Sequence, residues 1–224
     1  KSLVELAALG TIADMMKREQ DNVKIIQEGL EALEESWRPG ILALFKLPEF
    51  ARFPNIESKV QKMISILNVR DVEEGYPASF RILSNASEEK VARIAEKLLE
   101  IYAVRKQRTQ ALLEKVRMDI AKKQEESIVF EGGEDFDYIL LGIVASVISQ
   151  ETEKPTFIYK KQATEAVGSV RAPSGYDTVE AMKHCGKYTI TYGGHPQASG
   201  FRVKNTNLPK FKSCLIEYFE KQHG

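Results

Sequence analysis

Ser127-Ile128-Val129-Phe130-Glu131-Gly132-Gly133 marks the place where the hydrophobic period of this 224-residue chain changes. Upstream, apolar residues recur every three or four positions, the spacing of amphipathic helices. Downstream, short runs rich in β-branched and aromatic residues alternate with helical segments. Ser127 to Phe130 reads as a strand, Gly132-Gly133 as a turn, Tyr138 to Ser149 as a buried helix and Thr156 to Tyr159 as a second strand. Thr164 to Val170 then reads as a strand, Asp177 to His184 as a helix, Tyr188 to Tyr192 and Ser199 to Lys204 as strands, and Leu208 to Lys221 as a closing helix. Strands alternating with helices imply an α/β layer, so a domain boundary is expected near residue 126.

Working back from that boundary, Ser87 opens the longest pattern in the chain, with Glu88 and Glu89 in the first turn, where the positive helix end favours them. Val91, Ile94, Leu98, Tyr102, Leu112, Val116 and Ile120 keep one stripe. A continuous helix from Ser87 to Glu126 would be about 60 Å long, more than a core of this size buries. It therefore crosses from one globular unit to another or kinks at Arg105-Lys106-Gln107-Arg108-Thr109, where the stripe is interrupted. Earlier still, Asp21 or Asn22 can cap a helix carrying Val23, Ile26, Leu30 and Leu33, which ends before Arg38-Pro39-Gly40. A looser stretch with Pro48 and Pro54 follows, then a short helix over Ala78 to Leu83. The chain opens on Lys1 within a helical pattern, which reads as a piece of a longer protein.

Lys plus Arg and Asp plus Glu both number 32, and hydrophobic residues make up 43%. That balance excludes disordered and low-complexity classes. The longest apolar stretch, Tyr138 to Ile148, is too short for a membrane span, which needs about 20 residues. The zero net charge hides an asymmetry. Residues 131 to 153 hold six acids and no Lys or Arg, whereas residues 154 to 224 hold eleven bases against five acids, a net of +6. A local basic surface for a polyanion is available there. Cys185 and Cys214 show neither CxxC nor metal-ligand spacing, and they read as free thiols of a reducing, cytoplasmic compartment.

Two segments carry chemistry. In Gly193-Gly194-His195-Pro196-Gln197-Ala198-Ser199-Gly200-Phe201, paired glycines allow positive φ and close backbone approach, which suits a nest of N–H groups around a phosphate that His195 also contacts. The same residues fit a plain glycine turn with a surface histidine. In Gly168-Ser169-Val170-Arg171, a strand ends in a hydroxyl and a guanidinium, whose planar fork matches phosphate oxygens. Arg171 fits equally a pair with a surface carboxylate such as Asp177. Near the start, Asp14 closes Ala8-Leu9-Gly10-Thr11-Ile12-Ala13-Asp14 as a hard-metal ligand or as a helix cap.

Taken in order, Gly168-Ser169-x-Arg171, a helix and Gly193-Gly194-His195-x-x-Ala198-x-Gly200-Phe201 resemble the DHHA1 domain of the DHH/DHHA1 phosphoesterases, and within them the RecJ-like single-strand-specific exonucleases. Ala8 to Asp14 looks like the last motif of the catalytic DHH domain, and Arg38-Pro39-Gly40-Ile41 is similar to the family's Arg-Pro-Gly-Leu. The resemblance implies a fold made of the helical end of a DHH domain (residues 1–86), a long connector helix (87–126) and an α/β DHHA1 domain with a mixed sheet (127–224). It assigns strand contact to Ser169, Arg171, Gly193, Gly194 and His195, and metal ligation and catalysis to Asp14, with Mn2+ or Mg2+ as cofactor. The connector's Asn-x-x-Arg-Gln corresponds here to Tyr102-Ala103-Val104-Arg105-Lys106, where only Arg105 fits, leaving a basic patch of Arg105, Lys106 and Arg108. Tyr138 to Ala145 resembles Gly-Val-x-Gly-Ile-x-Ala with Ile139 at the first glycine, nearer to archaeal-type members than to bacterial ones.

The Asp-x-Asp and Asp-His-His segments of the family's metal site have no match, since His184, His195 and His223 sit in other contexts. By resemblance the chain is then the C-terminal portion of a metal-dependent exonuclease that degrades single-stranded DNA from 5′ to 3′. Its implied partners are the single strand, the missing N-terminal DHH part and replication proteins such as GINS, with no membrane. A non-catalytic replisome scaffold of the same superfamily is the rival reading, and the related tRNA-synthetase accessory domain a second, disfavoured by Ala8 to Asp14.

Overall fold

The computed structural model describes residues 3–123 and 126–223, which divide into two compact units, 1–106 and 107–224. The division falls inside a helix, and each unit has its own core.

The first unit is helical. Helix α1 (Val4–Ala13) lies against α2 (Gln20–Glu34). Their approach requires Gly29, where a Cβ would stand 2.2 Å from that of Ala8. Helix α2 begins earlier than the acid-cap expectation placed it. The Asn22 N–H donates to the Glu19 carbonyl at 3.0 Å, so the first turn closes on Glu19, and Asp21 and Asn22 lie inside the helix. Helix α3 (Pro39–Phe45) starts with Pro at its first position, where the missing N–H costs nothing. A 3-10 turn, Pro48–Arg52, leads to α4 (Ile56–Leu67), which Asn55 caps by accepting from the Ser58 N–H at 2.9 Å. A two-stranded hairpin of β1 (Val72–Glu73) and β2 (Tyr76–Pro77) turns through Glu74 and Gly75, both at positive φ, into α5 (Ala78–Ser84). Ile12, Leu33, Leu44, Phe50, Met63 and Ile82 fill the core; each such side chain contributes about 1.5–3 kcal/mol when fully buried.

A buried ion pair and a partly exposed ion network brace this unit. Arg38 pairs with Glu5 of α1, whose side chain is only 3% exposed. Asp71, 12% exposed, receives Lys97 at 2.8 Å and also Arg81. The hydrogen bond from Lys97, helped by the charges of Lys97 and Arg81 and opposed by burial, holds the Asp71 carboxyl below its ordinary value. A depressed folded pKa adds stability above the unfolded value, near pH 4, and loses it as pH falls through the folded value. Asp71→Asn should therefore flatten the acid limb of the stability–pH profile below about pH 4, as read by urea titration at stepped pH.

Helix α6 (Glu88–Ala121) runs unbroken for 34 residues, about 51 Å at 1.5 Å per residue. The Ser87 hydroxyl accepts from the Lys90 N–H at 3.4 Å, as its sequence position suggested. The helical run continues through Arg105 to Thr109. Val91, Ala95 and Leu98 bury in the first unit's core, whereas Leu112, Leu113 and Val116 bury in a core of the second.

The second unit is a five-stranded mixed sheet in the order β3-β4-β5-β7-β6. Its strands are β3 (Val129–Gly133), β4 (Thr156–Lys161), β5 (Glu165–Arg171), β6 (Thr189–His195) and β7 (Ala198–Lys204). β3 and β4 are parallel and the other neighbours antiparallel. The parallel pair needs a crossover, supplied by a 3-10 turn at Tyr138–Leu140 and α7 (Leu141–Thr152). Strand alternation splits the core. Val129 and Ile158 face α7 and α6, whereas Phe130, Phe157, Val170, Phe201 and Val203 face α8 (Thr178–His184) and α9 (Leu208–His223).

Three expectations are corrected here. Gly132 and Gly133 end β3 rather than forming a turn, because Gly132 lies under Tyr159, where a Cβ would stand 2.3 Å from the Tyr159 carbonyl oxygen. Strand β6 continues past Tyr192 through Gly193 and Gly194 to His195. Cys185 and Cys214 are joined in a disulfide rather than free, since α8 and α9 pack side by side and bring together two residues 29 positions apart. The paired cysteines give no support to the reducing compartment expected from free thiols.

Candidate nucleic-acid interface

The register of three strands builds the site. β5 alternates half-buried and buried residues, so Ser169 and Arg171 point to the α7 side while Gly168 and Val170 face the α9 core. Gly168 is required there because a Cβ would stand 2.3 Å from the Phe201 ring. Arg171 pairs with Ala198 on β7, and Ala198 pairs with His195 on β6. In the next row on the same face, Ser169 pairs with Gly200, and Gly200 with Gly193. With strands about 4.8 Å apart, Arg171 and His195 stand roughly 10 Å apart at the backbone, and the rows are separated by about 6.7 Å. Small residues floor the space between guanidinium and imidazole.

The glycines act differently from a phosphate nest in a turn. Gly193 and Gly194 are strand residues, and the turn itself is Pro196-Gln197. Gly194 nonetheless takes φ +134°, and a Cβ there would stand 2.6 Å from both the Ala198 oxygen and the Ser199 Cα.

Arg171 Nη1 donates to the Val170 carbonyl at 2.8 Å, and among the described residues no carboxylate pairs with it. Asp177 is engaged elsewhere. Its Oδ1 accepts from the N–H groups of Val179 and Glu180 at 2.9 and 3.0 Å and caps α8. Beside Arg171, the α7 flank and the hairpin tip line a cleft of about 330 Å³ that includes Ser146, Gln150 and Gln197. His195 is exposed at the end of the edge strand.

Sequence reading missed the residues that hold this hairpin. Buried Thr178, at the start of α8, donates its N–H to the Pro196 carbonyl at 3.0 Å. Its hydroxyl lies 2.7 Å from the same oxygen and 2.6 Å from Ser199 Oγ. Ala172 N–H donates to the Gln197 carbonyl at 3.1 Å. Thr178→Val would strand the buried Ser199 hydroxyl and should cost about 1–3 kcal/mol in denaturant unfolding. The only sequence signal was a Thr after a capping Asp, which says nothing of contacts 18 and 21 positions away.

Asp14 and Arg105 belong to the first unit. Asp14 is exposed at the C-terminal end of α1. Arg105 Nη1 donates to the Asn68 carbonyl at 3.0 Å, which ties α6 to the end of α4.

Residues 124–221 match the DHHA1 domain family. Over 223 residues the chain is 29% identical to the single-stranded-DNA-specific exonuclease RecJ of Bacillus subtilis, covering 96% of this chain and 28% of that protein. Residues 124–221 thus match the DHHA1 family, and the chain as a whole is similar to the C-terminal part of RecJ proteins. It thus spans under a third of the curated relative it matches. The fold is shared with crystal structures of Thermus thermophilus RecJ. The complex with Mg2+ has a TM-score of 0.85 at 23% identity over 98% of this chain and 34% of that one. The complex with Mn2+ has a TM-score of 0.84 at 23% identity over 98% and 33%. These relatives are bacterial and lend no support to the archaeal leaning read from Tyr138 to Ala145.

Within the DHHA1 match lie Ser169, Arg171, Gly193, Gly194 and His195; all but Gly194, which falls between rows in the alternation, share one sheet face. A divalent metal finds no such constellation. Among the described residues no three His, Cys, Asp or Glu side chains gather, so Asp14 alone does not fit a metal site. Among the described residues, too, no helix is long and apolar enough to cross a membrane.

Proposed function

We propose that this chain is the strand-gripping C-terminal portion of a RecJ-like, metal-dependent exonuclease that degrades single-stranded DNA from 5′ to 3′. The observation that carries the reading is the row Arg171–Ala198–His195, which sets a guanidinium and an imidazole on one face across a floor without bulky residues. Such a face holds a flexible polyanion electrostatically and without sequence preference. The net +6 of residues 154 to 224 supplies the favourable field. Asp14 contributes one carboxylate to a metal site whose other ligands lie outside this chain, and Arg105 adds positive charge on the connector helix.

The test uses the full-length protein and a 5′-labelled single strand, with binding measured in chelator over a range of salt. Arg171→Ala should weaken binding about tenfold or more, as the loss of a charged hydrogen bond implies, and lower the salt slope by about 0.7. His195→Ala should weaken it in the same direction. Binding unchanged by both substitutions would remove this face from the strand path. With manganese restored, Asp14→Ala should abolish cleavage while leaving binding intact.

A further inference from the structure

Tyr138, Ile139 and Ile143 are 58%, 54% and 41% exposed across the 3-10 turn and the first turn of α7, a helix that buries Leu141, Val144, Ala145 and Ile148. Large apolar side chains gathered on a surface mark a contact site. Tyr138 and Ile139 lie in the 3-10 turn that leads into α7, four and three positions before Gly142. Gly142 itself lies against the strand grip. A Cβ at Gly142 would lie 3.3 Å from Arg171 Nη2 and 3.8 Å from Ser169 Oγ. The apolar residues of this ledge therefore lie within four positions of the point where α7 meets the two residues assigned to phosphate.

Charge decides what the ledge takes. Residues 131 to 153 carry six acids and no Lys or Arg. Of the nearby cations, Lys115 pairs with Asp135 at 2.5 Å, Arg108 faces Asp137 at 3.9 Å, and Lys160 donates to the Glu134 and Phe136 carbonyls at 3.1 and 2.8 Å. A phosphate is disfavoured there, but a flat uncharged group is not. A single strand offers such a group beside every phosphate, and bases stack on exposed aromatic rings whatever their identity.

We propose that Tyr138, flanked by Ile139 and Ile143, is the stacking ledge for an unpaired nucleobase next to the phosphate held by Arg171. This rests on the reading of Arg171 and His195 as a strand grip. The experiment compares oligothymidylate with an abasic strand of equal length, on the full-length protein in chelator. Tyr138→Ala should weaken oligothymidylate binding about fivefold or more, the low end of one base–aromatic stack, with no change in salt slope and none on the abasic strand. Tyr138→Trp should restore it. Arg171→Ala should weaken both strands and lower the salt slope. Equal loss on both strands, or no loss on either, from Tyr138→Ala overturns the ledge. So does altered self-association in sedimentation without base-dependent loss, which would make the patch a protein contact. If Arg171→Ala changes nothing while the base-dependent loss persists, the grip falls and the ledge stands.

Discussion

Arg38→Ala should destabilise the first unit by about 3–5 kcal/mol, because it leaves the Glu5 carboxyl 3% exposed and without its partner. Few single substitutions in this chain remove so much, since that range is a large part of a typical domain's stability. The loss has a specific signature. A double variant, Glu5→Leu with Arg38→Leu, removes both charges together and should recover most of it, because a buried pair contributes little net stability beyond an apolar pair of similar volume. Denaturant unfolding of the three variants checks this. If the double variant is as unstable as Arg38→Ala, the deficit comes from lost packing, and the Arg38 stack on Trp37 at 5.1 Å becomes the first suspect.

Gly194→Val should be the most damaging change at the strand grip. Its φ of +134° lies where L side chains are rarely found, and the new Cβ would press on the backbone of Ala198 and Ser199, which cannot swing aside as a side chain would. Strain of about 1–3 kcal/mol and overpacking of about 1–3 kcal/mol act together. The chain escapes only by breaking the pairing of Gly194 with Ser199, which moves His195 out of its row with Arg171. Unfolding and single-strand binding should both suffer. Gly193→Ala is the control. A Cβ at Gly193 meets nothing within 4 Å, so that variant should stay folded. A benign Gly194→Val would show that the β6–β7 pairing is not what positions His195.

What the sequence conveyed depended on range. The strand–helix alternation after Ser127 and the Ser87 start of α6 are local signals, and the structure follows them within a few residues. Gly193-Gly194 misled, because glycine favours turns and nothing local reveals that β7 supplies a partner for both residues. The Arg171–His195 row was reached through resemblance, since 24 positions separate its members and only the register of β7 joins them. Thr178 with Ser199, Glu5 with Arg38 and Cys185 with Cys214 stayed hidden for the same reason. Such pairs are chosen by packing and leave no period in the chain.

The unbroken backbone ladder of α6 has a thermodynamic consequence. Its apolar residues are shared out between two cores, and the turn around Arg105 to Thr109 supplies no apolar side chain to either. An isolated helical turn is only marginally stable in water. Melting of either core therefore need not drag the other with it, and calorimetry should record overlapping transitions whose summed enthalpy exceeds the van't Hoff value of a single step.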